Sequence, residues 1–296
     1  MAPEHEEQES LLVRLARDYG WRAYAVPVLV VITVWVLVDV LTGPAPDGAS
    51  GGAGASGDRS TQAGPMPGQQ SAPHRADGSL PDGGSFTKHG QGATRIVGSA
   101  GEKFGEGKPR DGMGGTFTYT VEVEKGLKTQ NYGGDDAFAA LVDATLKDPR
   151  SWTADSRFAF QHVAADQEPD LHIMLASTDT VHLGCGNSLG LETSCFTSEG
   201  NRVLLNEARW VRGSEAFQGD LGAYRQYMIN HEVGHGIGYA KHVPCEKDGD
   251  LAPVMMQQTL GMTNGEIKKI NPNEVYPDNA ITCRPNSWPH PFGKSK

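Results

Sequence analysis

The 296-residue sequence has little of what a polyanion binder or a thiolate metal site requires. Basic residues are in the minority, 26 Lys and Arg against 36 Asp and Glu, and the formal net charge is -10. No broad positive field is available to attract nucleic acid or anionic headgroups, so nucleic acid is excluded as a first partner. Cysteine is scarce: Cys185, Cys195, Cys245 and Cys283 all lie in the C-terminal half and none forms a CxxC pair. That pattern argues against a zinc ribbon or a thioredoxin-like motif. Two disulfides in an oxidising compartment are expected, although the order of four cysteines chooses none of their three possible connectivities. There is no internal repeat and no aromatic-rich stretch, which leaves a passive cell-wall-binding array without support.

Only one long apolar run is present. Residues 23–41 read AYAVPVLVVITVWVLVDVL, with Asp39 as the lone charge, and their length matches a bilayer-spanning helix of roughly 20 residues. A cleaved signal core is shorter, about 7–15 apolar residues, so an uncleaved anchor is expected. Arg14, Arg17 and Arg22 precede the run and no Lys or Arg follows before Arg59. The positive-inside bias therefore places residues 1–22 in the cytoplasm and everything after the helix outside the cell. Residues 42–92 are dominated by Gly, Ala, Ser, Pro, Gln and Asp, too poor in apolar side chains to offset the entropy of ordering, and they read as a linker.

Residues 93–296 carry the periodic patterns of a folded domain. Phe117, Tyr119, Val121 and Val123 alternate with polar residues over 116–124, the pattern of a half-buried strand. Asp135 and Asp136 open an amphipathic helix that Asp148-Pro149 stops. Residues 157–163, 171–175 and 202–206 read as further strands, with a Gly-rich loop before the last that Cys185 and Cys195 are placed to staple. Asp220 is a good N-cap for the final regular element, which runs to about Tyr239 with apolar residues on two sides. This order implies an α+β domain, a mixed sheet carrying a buried last helix.

That helix holds His231-Glu232-Val233-Gly234-His235. Histidines at i and i+4 project from one face and reach a single Zn2+, while Glu232 stands beside the ion without ligating it, placed as a general base. Gly238 is able to end the helix in a left-handed conformation, after which the chain turns back toward His242. The bare motif is moderate evidence; its continuation strengthens it. Structural zinc sites usually fill four positions and use more cysteine, so a non-catalytic zinc-containing cell-envelope binding domain is the weaker alternative.

The run NHEVGHGIGYAKHVPC, followed by LAPVMMQQTLGM and CRPNSWPHP, resembles the zincin-like, metzincin-type domain of unknown function of secreted or membrane-anchored actinobacterial proteins. The resemblance is strongest over residues 230–291. It implies a metzincin-like fold, zinc on three histidines and peptidase activity toward a peptide or protein in the cell envelope or outside the cell. Met255 stands where metzincins place the turn beneath their zinc site, and Cys245 with Cys283 would tie the segment after the helix to the C-terminal tail. One departure matters: the family pattern HExxHxxGxxH puts Lys241 at its last position, and the histidine comes one residue later. A protonated amine is a poor ligand, so His242 is expected to bind through a loop one residue longer, with Asp248, Asp250, Glu266 and Glu274 as carboxylate alternatives. The expected ligands are thus His231, His235 and His242, with Glu232 as the catalytic base.

Overall fold

A computed structural model describes residues 77–293, together with Val31, Thr33 and Val34. The chain divides into two compact units, Met1–Pro67 and Gly68–Lys296. In the first, Val31, Thr33 and Val34 are helical and exposed; the rest of the expected anchor lies outside the described residues. Among the described residues no helix is long and apolar enough to cross a membrane.

The second unit is built on a mixed sheet of seven strands: β1 (Thr94–Val97), β2 (Phe104–Gly105), β3 (Gly115–Glu124), β4 (Phe158–His162), β5 (Leu171–Ala176), β6 (Cys195–Thr197) and β7 (Arg202–Asn206). The strand order is β2-β4-β3-β5-β7-β6, with β4, β3, β5 and β7 parallel. β1 runs antiparallel to the C-terminal half of β3, pairing Thr94 with Glu124, while β4 pairs with its N-terminal half. At the far edge, β6 runs antiparallel to β7.

Among the described residues five α-helices accompany the sheet: α1 (Gly134–Lys147), α2 (Thr178–Cys185), α3 (Glu207–Arg212), α4 (Leu221–Gly236) and α5 (Asn264–Ile270). Tyr119, Val121 and Val123 of β3, Ile173 and Leu175 of β5, and Val203 and Leu205 of β7 face a core shared with Phe138 and Val142 of α1 and with α4. On the opposite face Met174, Ala176 and Leu204 pack against Val181 of α2. Burial on both faces is what parallel strands require.

The expected strands and the helices after Asp135 and Asp220 are present, with three differences. β3 is not half-buried: Thr120, Glu122 and Glu124 on its polar face are buried too. Glu124 accepts hydrogen bonds from the amides of Gly92 and Ser177 and from Thr180 Oγ1, which satisfies a carboxylate that alternation alone assigns to solvent. The second difference is at the linker boundary, since residues 77–92 form a strap on the domain. Arg209, fully buried, donates to the carbonyls of Gly78 and Ser79, and Arg212 donates to Gly84 O. Thr87 N donates to Glu207 Oε2. Third, α4 is not the last element. A short α5 follows, with Glu266 in its first turn, where the sequence gives no helical signal strong enough to read. Both disulfides are present, Cys185–Cys195 and Cys245–Cys283.

Candidate metal centre

α4 begins at an Asp220 side chain that accepts from Ala223 N, as a good N-cap does. It lies between the sheet and the C-terminal segment, with Tyr224, Tyr227, Met228, Ile229, His231, Glu232 and Val233 all buried. The turn before His231 is clamped. Asn230 O accepts from Trp152 Nε1, Asn230 Oδ1 accepts from Ser151 Oγ, and Asn230 Nδ2 donates to Ser287 O.

The helix ends at Gly236. Gly238 N donates to His235 O and Tyr239 N donates to Gly234 O, the paired bonds of a Schellman motif, with Gly238 at φ +112°. This termination also serves the site, because the Tyr239 carbonyl it redirects accepts from His235 Nδ1 at 2.8 Å. The chain then folds back and delivers His242. The extra residue relative to the HExxHxxGxxH spacing is absorbed in this loop, where Lys241 is exposed to solvent.

Three imidazoles meet as a result. Ring centroids are 4.9 Å apart for His231 and His235, 5.3 Å for His231 and His242, and 5.2 Å for His235 and His242. Their ligand-capable atoms lie within 4.8 Å of one another. Each ring is held through Nδ1. His231 is 2.8 Å from Val254 O, His235 is held by Tyr239 O, and His242 is 2.9 Å from Glu274 Oε2. Carbonyl and carboxylate oxygens only accept, so each Nδ1 carries the proton and each Nε2 keeps its lone pair. That is the tautomer of a metal-ligating histidine with a second partner that fixes its orientation. His231 Nε2 is buried without a hydrogen-bond partner, an orphan that native interiors rarely tolerate unless a further ligand satisfies it.

Electrostatics favour the neutral ring at His231 and at His235. Burial drives His231 well below the ordinary imidazole range, with His242 and His235 adding to the effect. Burial and His242 lower His235 as well. Glu232 is pushed up to about 8 in the metal-free chain, by burial. It shares with His235 and His242 a cleft of about 350 Å³, bordered also by Cys195 and Phe196 of the edge strand and by Gln257.

Met255 lies in the turn following Pro253, where Met256 N donates to Pro253 O. It packs beneath α4 against Gly234: a Cβ built on that glycine would stand 2.5 Å from Met255 Sδ and 2.7 Å from Trp152 Cζ2. The carbonyl that orients His231 comes from the same turn, at Val254.

Among the carboxylate alternatives, Glu274 acts on the site through His242 Nδ1 and not as a member of the cluster, because the loop brings His242 itself inward. Asp248 accepts from Thr282 N, and neither Asp250 nor Glu266 joins the histidines. His182 faces Glu192, and His162 is held by Asp143, both apart from the cluster. Sequence reasoning missed the Val254 and Tyr239 carbonyls, the clamp from Trp152, and Gln257. Backbone acceptors leave no trace in residue identity. Gly234 did carry a signal, since glycine inside a helix costs about 1 kcal/mol relative to alanine, and its presence marks a close approach.

Residues 80–291 match the family described as protein of unknown function (DUF3152). No curated protein and no solved structure matches the chain. A match over well more than half of the sequence, covering the whole sheet, all of the strap but its first residues and every member of the histidine cluster, shows that this chain belongs to the DUF3152 family.

Proposed function

We propose that the chain is a zinc-dependent metallopeptidase of metzincin type, with His231, His235 and His242 as ligands and Glu232 as general base. The observation that carries this reading is the common tautomer of the three histidines. Each Nδ1 is tied to an oxygen, and the remaining ring nitrogens belong to closely grouped imidazoles. Three nitrogen donors with no fourth His, Cys, Asp or Glu in the group, among the described residues, is the donor set of an open catalytic site. Structural sites close the fourth position, which makes a non-catalytic zinc domain the weaker reading.

A zinc ion bound there would supply Lewis acidity, lowering the pKa of water and polarising a carbonyl. The remaining work falls to the chain. Glu232 lies in the cleft beside two of the histidines, where its carboxylate takes a proton from the attacking water and returns it to the leaving amine. The buried wall around it holds bulk water away, which strengthens the interaction of that carboxylate with developing charge. β6, an edge strand at the cleft, offers a backbone rail along which an extended peptide aligns by strand addition.

The same reading holds the domain outside the cell on an N-terminal membrane helix, supported by the apolar run over 23–41 and by two disulfides of the kind oxidising compartments permit. The deciding experiment measures zinc by elemental analysis and cleavage of a randomised fluorogenic peptide library with the full-length chain. One zinc per chain and cleavage abolished by Glu232→Gln, with zinc retained, are the expected results. A folded wild type that binds no zinc overturns the proposal.

A further inference from the structure

We propose that the side-chain amide of Gln257 is the hydrogen-bond donor that stabilises the negative charge developing on the substrate carbonyl oxygen. The inference rests on the hydrolase reading above and deepens it by naming a residue that the HExxH motif does not contain.

A peptide hydrolase needs a fixed donor where charge develops in the transition state, and such donors are worth more in a water-poor cleft than in bulk. The polar side chains of this cleft are Ser194, Glu232, His235, His242 and Gln257. Most have no donor to spare. Each histidine commits its Nδ1 proton to an oxygen. Ser194 Oγ donates to Met228 Sδ and accepts from Asn206 N, so it is turned away into the core. Glu232 is the base. Gln257 alone keeps an unspent N–H donor: its Nε2 has no hydrogen-bond partner among the described residues, while its Oε1 lies 3.5 Å from the Tyr227 hydroxyl.

The backbone that carries the residue is also well anchored, which favours a preorganised donor. Gln257 N donates to the Tyr276 hydroxyl at 2.6 Å. On either side, Tyr227 Oη donates to Met256 O and accepts from Gln258 N, both at 2.9 Å. Both tyrosines are buried. Two buried tyrosines thus hold the backbone on each side of Gln257, which limits how far its side-chain amide has to move when charge appears. The position follows from the fold: Gln257 comes two residues after Met255, so the segment that supports α4 also brings this residue into the lining of the cleft.

The test compares full-length wild type with Gln257→Met, nearly the same length but without N–H donors, on a fluorogenic peptide that the wild type cleaves. Gln257→Glu, equal in shape and acceptor-only, serves if the first variant fails to fold. Zinc content and melting temperature are measured for each. Removal of one oxyanion donor lowers kcat by about 10²–10³-fold with little change in KM. A phosphinic peptide of the same sequence, which mimics the tetrahedral anion, should lose affinity in parallel when measured by calorimetry. A kcat within threefold of wild type, or a loss carried entirely by KM, overturns the donor role while leaving the hydrolase reading intact. A wild type that cleaves no peptide and binds no phosphinic peptide overturns the hydrolase reading, and the donor role with it.

Discussion

Gly234 of the HEVGH segment lies so close to Met255 that a Cβ at Gly234 would stand 2.5 Å from the methionine sulfur. The helix bearing two histidines and the turn whose Val254 carbonyl orients the first of them are thereby locked in register. Gly234→Ala should gain helix propensity of about 1 kcal/mol yet lose stability overall, because overpacking a tight core costs about 1–3 kcal/mol. Thermal unfolding and zinc content read the outcome. A stabilised variant with full zinc would show that the contact relaxes freely.

Glu274 touches the site through His242 Nδ1 at 2.9 Å. Glu274→Ala should therefore weaken zinc binding by about 10–100-fold, the usual cost of losing such a partner. Glu274→Gln keeps an acceptor oxygen and should lose less. Competition with a chromogenic chelator distinguishes them, and equal affinities in all three proteins would remove Glu274 from the site.

Glu232 gives a pH-dependent prediction for metal-free protein. Burial raises its folded-state pKa to about 8 from an ordinary 4.5. Between those values the folded chain holds a proton that the unfolded chain has released, so stability falls as pH rises from about 4.5 and levels off above about 8. In chelator, Glu232→Gln should melt higher than wild type by a margin that widens from pH 5 to pH 8. His231 acts in the opposite sense. Its folded pKa lies well below 6.5, so the unfolded chain binds the extra proton and stability is lost as pH falls below about 6.5. His231→Leu should flatten the acid limb, and an unchanged limb would count against that assignment.

The strap over residues 77–92 is part of the fold. Arg209 is fully buried and spends two donors on Gly78 and Ser79 carbonyls. A chain beginning at Ala93 leaves that cation partly unpaired, a loss of about 3–5 kcal/mol by analogy with broken buried ion contacts. A chain beginning at residue 77 should unfold in urea like the longer protein. Equal urea midpoints for the two truncations would show the strap to be dispensable.

The two disulfides should separate by function. Cys245–Cys283 closes a 38-residue separation in a buried cluster, whereas Cys185–Cys195 closes 10 residues at the cleft edge. Loop-closure entropy makes the longer loop worth more, within a typical 2–4 kcal/mol. Cys245→Ser/Cys283→Ser should lose the most stability in urea. Cys185→Ser/Cys195→Ser should chiefly raise KM by loosening β6.

Much of this protein was legible in residue order because its signals are local. The alternation in β3, the acidic start of α1, the Asp220 cap and the i, i+4 histidines of α4 depend on strand and helix geometry that any segment expresses for itself. The sequence also contained His242, one residue late, and favoured it over the carboxylates, but could not place it beside the other two histidines. That placement needed the Schellman turn at Gly238 and the course of the loop beyond it. The acceptors that fix each imidazole, the contact that demands glycine at 234, the strap on Arg209 and the free amide of Gln257 all join residues distant in sequence. Such pairings arise only when packing brings separate segments together, so they were decided by the tertiary structure, where backbone carbonyls and empty space count as much as residue type.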